Sequence, residues 1–326
     1  MKFPHRRQFL HLAAGAIALP TVPQIARAQA YPTRPVRIIV GFAPAGATDI
    51  FTRLIAQSLS ERLGQQFVVE NRPGAATNLA VEAVVRSPPD GYTLLGFDLS
   101  AAANATLYDK LNFVFLRDIA PVAGVARVPQ IMTVDLAVPA RTVPEFIAYA
   151  KANPGKITMA SAGNGSPMHM AGELFKMMSG VDLLHVPYRG GGPALVDLMG
   201  GQVQVGFFTA AASMEYIRTG KLRALGVADA TRSEVLPDIP TVSESVPGYE
   251  ASFWAGLGAP KGTPAGIIDA LNREINAGLA DARLKARLAD LGGTALSGSP
   301  SDFGKFVADE TEKWGKVVRA ANIKAE

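Results

Sequence analysis

The stretch VRIIVGFAPAGATDIFTRLIAQSLSERLG (residues 36–64) decides how the chain folds. Its first seven residues form a nearly unbroken apolar run between Pro35 and the Pro44 turn, the pattern of a buried strand. Beyond the turn, Ile50, Phe51, Leu54, Ile55, Leu59 and Leu63 recur at helical spacing, and Gly64 closes the helix. Strand, glycine-containing turn and helix make one α/β unit. The same unit returns at KITMASAG (156–163), which leads into a helix from Ser166 to about Ser179.

Working outward, QFVVEN and YTLLGF read as strands flanking the helix TNLAVEAVVRS. LLHVPY, VQVGFF and LRALGVA read as strands of the second half, with a helix at PALVDLMGG. Such alternation predicts an α/β fold with largely parallel sheets. The segments 122–134 and 249–260 look like extended connections between two halves. Helical patterns after residue 260 would return the chain to the first half, and two crossings imply a hinge.

Length and composition narrow the class. The N-terminus carries Arg6 and Arg7, an apolar run from Leu10 to Leu19 and small residues at Ala28 and Ala30, the layout of a twin-arginine export signal cut before Tyr31, with an ordinary secretory signal or a lipid-free N-terminal anchor as the alternative. The run is too short for a membrane span, which needs about 20 residues, so the mature chain is expected not to be membrane-embedded. Residues 1–30 hold Lys2, Arg6, Arg7 and Arg27 and no acid, so the formal charge of +4 falls to zero without them. A neutral chain offers no footprint for nucleic acid. The chain has no cysteine, which excludes disulfides, thiolate metal sites and a cysteine nucleophile. The roughly 300 residues left exceed what one core usually serves, so two domains are expected.

The two turns are the chemistry-bearing features. A helix N-terminus exposes unpaired N–H groups and about half a positive charge, which makes an anion site without any basic side chain. FAPAGATD (42–49) offers Gly46 there, with Thr48 as N-cap and Asp49 in the first helical turn. SAGNGSP (161–167) offers Gly163 and Gly165, with Ser166 as cap and Pro167 at the first helical position. Phe97, Asp98 and Ser100 after YTLL, and Thr209 after VGFF, occupy the strand ends where ligands of open α/β sheets collect. Tyr188 and Arg189 end a strand before three glycines, and Trp254 sits in a crossing segment as cleft floor or hinge core.

Ser166 and His169 raise a hydrolase alternative. However, the serine lacks the G-x-S-x-G elbow, Pro167 restricts its geometry, and no orienting acid stands in a recognisable context. His185 falls in a strand. With two histidines beyond residue 30 and no cysteine, no metal-ligand spacing exists, so neither a metal nor a cofactor is expected.

Several stretches taken together resemble the Bug-type, TctC-like solute receptors of tripartite tricarboxylate transporters. These are YPTRPVRIIVGFAPAGATDIFTRLIA, VVENRPGAATNLAVEAVVRSPPDGYTLL, SAGNGSPMHMAGELF, VPYRGGGPALVDLMGGQVQVGF, GKLRALGVADATRSEVLPDIPTVSES, PGYEASFWAGLGAPKGTPAGIIDALN and WGKVVRAANI. The resemblance implies a monomeric type II periplasmic binding protein with a ligand cleft between two domains, residues 31–128 plus 252–326 and residues 129–251. It implies a small carboxylate as ligand, a membrane permease as partner and no enzymatic role; a ligand-sensing subunit is the alternative within the binding class. The implied contact positions are Phe42, Pro44, Ala45, Gly46, Ala47, Thr48 and Asp49 in the first turn, and Ser161, Ala162, Gly163, Gly165 and Ser166 in the second. His169 lies nearby, and Asp98, Ser100, Tyr188 and Thr209 complete the expected set. The chain departs from the family where Ala45 precedes Gly46, where Ala76 and Thr77 follow ENRPG in place of paired glycines, and where Thr209 replaces an acid. The first two departures reshape the entrance and the third concerns distal specificity. Dicarboxylates, aromatic carboxylates, amino acids and nicotinate-like acids all suit such a cradle.

Overall fold

The computed structural model describes residues 31–232 and 237–324. The expected export signal at residues 1–30 lies outside the described residues. In chain order the elements of the first half are β1 (Val36–Val40), α1 (Ala47–Leu63), β2 (Phe67–Asn71), α2 (Asn78–Val85), β3 (Thr93–Asp98), α3 (Leu99–Leu107), α4 (Phe115–Asp118) and β4 (Ile119–Val128). There follow β5 (Gln130–Val134), α5 (Val143–Ala152), β6 (Ile157–Ser161), α6 (Pro167–Ser179), β7 (Leu183–Pro187), α7 (Gly191–Met199), β8 (Val205–Thr209), α8 (Ala210–Arg218) and β9 (Arg223–Val227). The last part contributes β10 (Phe253–Pro260), α9 (Ala265–Ala280), α10 (Ala282–Asp290), β11 (Thr294–Ala295) and α11 (Pro300–Ala320).

Two sheets result, a six-stranded one in the order β11-β4-β10-β3-β1-β2 and a five-stranded one in the order β7-β6-β8-β5-β9. The fold is thus α/β with two sheets. The expectation of largely parallel pairing holds for β1 with β2 and β3, and for β6 with β7 and β8. It fails where the chain changes sheet: β10 runs antiparallel to β3 and β4, and β5 antiparallel to β8 and β9. A strand arriving from the other sheet has no crossover helix to turn it round, so it enters against its neighbours. The chain crosses once at Pro129 and again between Val227 and Phe253. Arg127 at the end of β4 pairs with Asp229, at 3.0 Å, and with Glu250, both on the return segment.

Side-chain spacing explains the helices that matter here. On α1, Phe51, Ile55, Ala56 and Leu59 are buried at i, i+4, i+5 and i+8, and Gly64 ends the helix at φ +67°. On α6, Met170, Ala171, Leu174 and Phe175 are buried at i, i+1, i+4 and i+5. Ser166 caps this helix, accepting from the N–H of His169, and Pro167 opens it. Both strand–turn–helix units therefore place a helix N-terminus at the carboxyl end of a parallel strand. The C-terminal α11 packs on α3 and β4 and also reaches α6, so it touches both halves. Among the described residues no helix is long and apolar enough to cross a membrane.

Candidate functional site

The first turn leaves β1 at Gly41 and enters α1 at Gly46, whose φ of −76° is extended rather than left-handed. Gly46, not Thr48, is the N-cap, and it supplies no side-chain hydrogen bond. Thr48 is instead turned toward β3, where its hydroxyl donates to Asp98 Oδ2 at 2.5 Å. Asp49 shapes the turn from within: its carboxylate accepts from the Ala45 N–H at 2.9 Å, from Arg53 Nε and from Asn71 Nδ2. Burial would raise this carboxyl, but the Arg53 guanidinium and the amide donors outweigh burial and hold it below the ordinary range. Ala45 takes φ +66°, which costs a non-glycine residue about 1 kcal/mol.

A second wall comes from the segment after β2 and from α3. Ala75, Ala76 and Thr77 occupy three successive left-handed conformations, at φ +45°, +47° and +79°. Strain of this kind collects where a chain is held by its surroundings. Thr77 packs on Gly41, where an added Cβ would come within 2.5 Å of the Thr77 Cβ. Asn104 Nδ2 donates to the Ala76 carbonyl and, at 3.0 Å, to Asn78 Oδ1. Asp98 caps α3 through the Ser100 N–H at 2.8 Å. Burial lifts the Asp98 carboxyl above the ordinary range, against the opposing pull of the Thr48 and Ser100 bonds. A ring of polar groups thus runs from Thr48 through Asp98, Ser100, Asn104, Asn78 and Thr77 back to the first turn. Within it Thr77 Oγ1, Asn78 Nδ2 and Asn104 Oδ1 are buried with no hydrogen-bond partner among the described residues.

The second turn faces this ring. A Cβ on Gly165 would meet Leu107 Cδ2 at 2.8 Å and Asn104 Oδ1 at 3.7 Å, so the turn abuts α3 across the cleft. Ser161 Oγ ties the turn by donating to the Gly163 carbonyl and accepting from the Gly163 N–H at 3.1 Å. The Gly165 N–H donates to His169 Nδ1 at 3.1 Å. Behind it, the rings of His169 and His185 stack at 3.8 Å with an angle of 9°, and His185 Nε2 lies 2.6 Å from Ser161 Oγ. Glu173 lies 3.6 Å from His169 Nε2 and accepts from Lys176. Burial, then the neighbouring His169, pushes the His185 imidazole down to about 3.

That depression has a pH consequence. Below the ordinary histidine value of about 6.5 the unfolded chain takes up a proton that folded His185 refuses, so stability falls as pH drops from about 6.5 toward 3. His185→Gln keeps a partner for Ser161 and removes the titration. The wild type is expected to lose about 1 to 2 kcal/mol more than this variant between pH 6.5 and 4.5, a figure reduced from full linkage because the ring is only half-buried. Urea unfolding of both proteins across that range checks it; parallel pH profiles would refute it.

The structure joins Thr48, Asp98 and Ser100 in one group and Ser161, Gly163, Gly165, Ser166 and His169 in the second turn, with Gly46 and Ala47 half-buried at the start of α1. Phe42 is half-buried beside them, while Pro44 and Ala45 are exposed on the outer side of the first turn, and Ala162 is half-buried in the second. Tyr188 is engaged elsewhere: its hydroxyl donates to Asp197 at 2.7 Å, and burial together with Asp197 pushes it up to about 12. Only its backbone supports the cradle, with its N–H donating to the Ser161 carbonyl. Thr209 pairs with Gln130 across β5 and β8, and Arg189 is exposed. Trp254 is core, 1% exposed. Sequence reading missed Asn78, Asn104 and Gln130 as lining groups and the His169–His185 stack. The Ser166 hydroxyl serves as a helix cap rather than as a nucleophile, and the serine that does meet an imidazole, Ser161, meets one far too weakly basic to deprotonate it.

Residues 51–323 match the model of the tripartite tricarboxylate transporter family receptor, TctC. Protein BugT of Bordetella pertussis is 37% identical over 318 residues, covering 97% of this chain and 96% of that one. Among solved structures, R. palustris Rpa4515 with adipate superposes with a TM-score of 0.84 at 37% identity, covering 90% of this chain and 99% of the other. MatC from Rhodopseudomonas palustris with bound malate gives 0.80 at 33% identity, covering 88% and 100%.

Proposed function

Because the chain belongs to the TctC family of tripartite tricarboxylate transporter receptors, a family of solute receptors and not enzymes, we propose that it captures a small carboxylate between two lobes and presents it to a membrane permease. The lobes are residues 31–128 with 252–326, and residues 129–251. The chain acts in the periplasm as a monomer, exported by the twin-arginine route through residues 1–30. The single observation that carries this reading is that the turn opening α6 abuts, at Asn104, a ring of hydroxyls and amides drawn from the starts of α1 and α2 and from α3. The nearby cations are turned onto acids, Arg53 onto Asp49 and Lys176 onto Glu173. Helix N-termini and neutral hydroxyl and amide donors favour a carboxylate and leave its charge uncompensated by any cationic side chain, so binding rests on peptide dipoles. The relatives seen with adipate and malate are in keeping with this chemistry.

The mechanism follows from the two-lobed cleft. A ligand that touches both turns interacts more strongly with the closed arrangement and shifts the population toward it, and the permease reads the closed shape. A thermal-shift screen of the purified protein against small mono- and dicarboxylates and their neutral amides tests the proposal. At least one carboxylate is expected to raise the melting temperature in proportion to the logarithm of its concentration, with the matching amide inert. Equal shifts from acid and amide, or none from any acid, would overturn it.

A further inference from the structure

Two carboxamides at the cleft have their orientation fixed by carbonyls. Asn104 Nδ2 donates to the Ala76 carbonyl, and Gln130 Nε2 donates to the carbonyls of Pro167, at 3.1 Å, and Ala251, at 2.9 Å. A carbonyl oxygen cannot donate, so neither amide can be turned over without losing these bonds. Asn104 Oδ1 and Gln130 Oε1 are therefore acceptors by necessity. Each residue is 1% exposed, and neither oxygen has a hydrogen-bond partner among the described residues.

Both residues border the second turn. Asn104 Oδ1 lies 3.7 Å from the place a Gly165 Cβ would occupy, and Gln130 holds Pro167, two residues further along. One residue comes from each half of the molecule: Asn104 presents its acceptor to the turn proposed to cradle the carboxylate, and Gln130 meets the residue that opens α6 through its donor. A carboxylate oxygen beside such an acceptor would face another lone pair with no proton between them; a hydroxyl or amino group would meet its complement.

We propose that the cognate solute carries a hydrogen-bond donor, a hydroxyl or amino group close to its carboxylate, and that Asn104 selects for it. This inference rests on the carboxylate-receptor reading above. A site that buries a fixed acceptor discriminates against the analogue lacking the donor because the acceptor is left unpaired.

Calorimetric titration of the purified protein with matched acids tests it: succinate, malate and aspartate as one set, butyrate, 2-hydroxybutyrate and 2-aminobutyrate as another. The hydroxy or amino member of a set is expected to bind about 10- to 100-fold more tightly than the unsubstituted acid. In Asn104→Leu the ratio within the set should fall to within about threefold, whereas general damage to the pocket would weaken all members alike and leave the ratio standing. Preference for the hydroxy over the amino member, or the reverse, identifies the donor. Equal binding of substituted and unsubstituted acids by the wild type, or an unchanged ratio in the variant, overturns the inference while the carboxylate receptor stands. Failure of every acid to bind, with a neutral amide binding in its place, overturns both.

Discussion

A Glu310→Leu variant is expected to lose about 3 to 5 kcal/mol of unfolding free energy. One oxygen, Glu310 Oε2, accepts from the indole N–H of both Trp254 and Trp314, each at 2.8 Å. Trp254 is 1% exposed and Trp314 fully buried, so neither N–H can turn to water when the acceptor goes. Leucine keeps most of the volume, and the loss therefore reports two stranded donors at about 1 to 3 kcal/mol each rather than a cavity. Glu310→Gln retains a carbonyl oxygen for both indoles and should cost less than about 1.5 kcal/mol. Urea unfolding distinguishes the two; equal losses would show that packing, not acceptor chemistry, holds the site. The consequence reaches the cleft, because Trp254 packs edge-on against Phe97 at 5.8 Å, and Phe97 immediately precedes the helix cap Asp98.

The contrast between what could and could not be read from the sequence has a physical cause. The two strand–turn–helix units were legible because α1 and α6 each bury one face, so their apolar residues recur at helical spacing, and because Ser166 and Pro167 mark a helix start through their own chemistry. Helix α3 was not legible. Leu99 to Asn104 are buried on every side, mostly as alanine, and a helix enclosed all round shows no stripe. Half of the polar ring escaped with it, since Asn104 meets Ala76 and Asn78 only through the fold, 28 and 26 residues away in the chain. The histidine stack was hidden for the same reason: His169 begins a helix and His185 sits on a strand, and no local pattern announces that parallel β6 and β7 bring them together. Thr48 was read as a helix cap from residue type alone, but a nearby buried carboxylate at Asp98 offers its hydroxyl a partner that the backbone of its own helix does not.

Gly163→Val should weaken carboxylate binding by about 100-fold or more, while Arg189→Ala changes it by less than about threefold. Gly163 sits at φ +116°, a region that a β-branched residue scarcely enters, and even a Cβ there would come within 3.3 Å of the Tyr188 carbonyl. The turn would have to rebuild itself. In doing so it would give up the paired bonds to Ser161 Oγ and move the amides of the α6 N-terminus away from the bound anion. Misplacement of a preorganised dipole by about 1 Å removes most of its worth, because the donors cannot follow the ligand. Arg189, by contrast, is exposed beyond the end of β7, where water screens its charge. Calorimetry well below the melting temperature of each variant separates loss of binding from loss of fold. The reverse order of effects would mean that a cation, and not the backbone of two facing turns, recognises the solute.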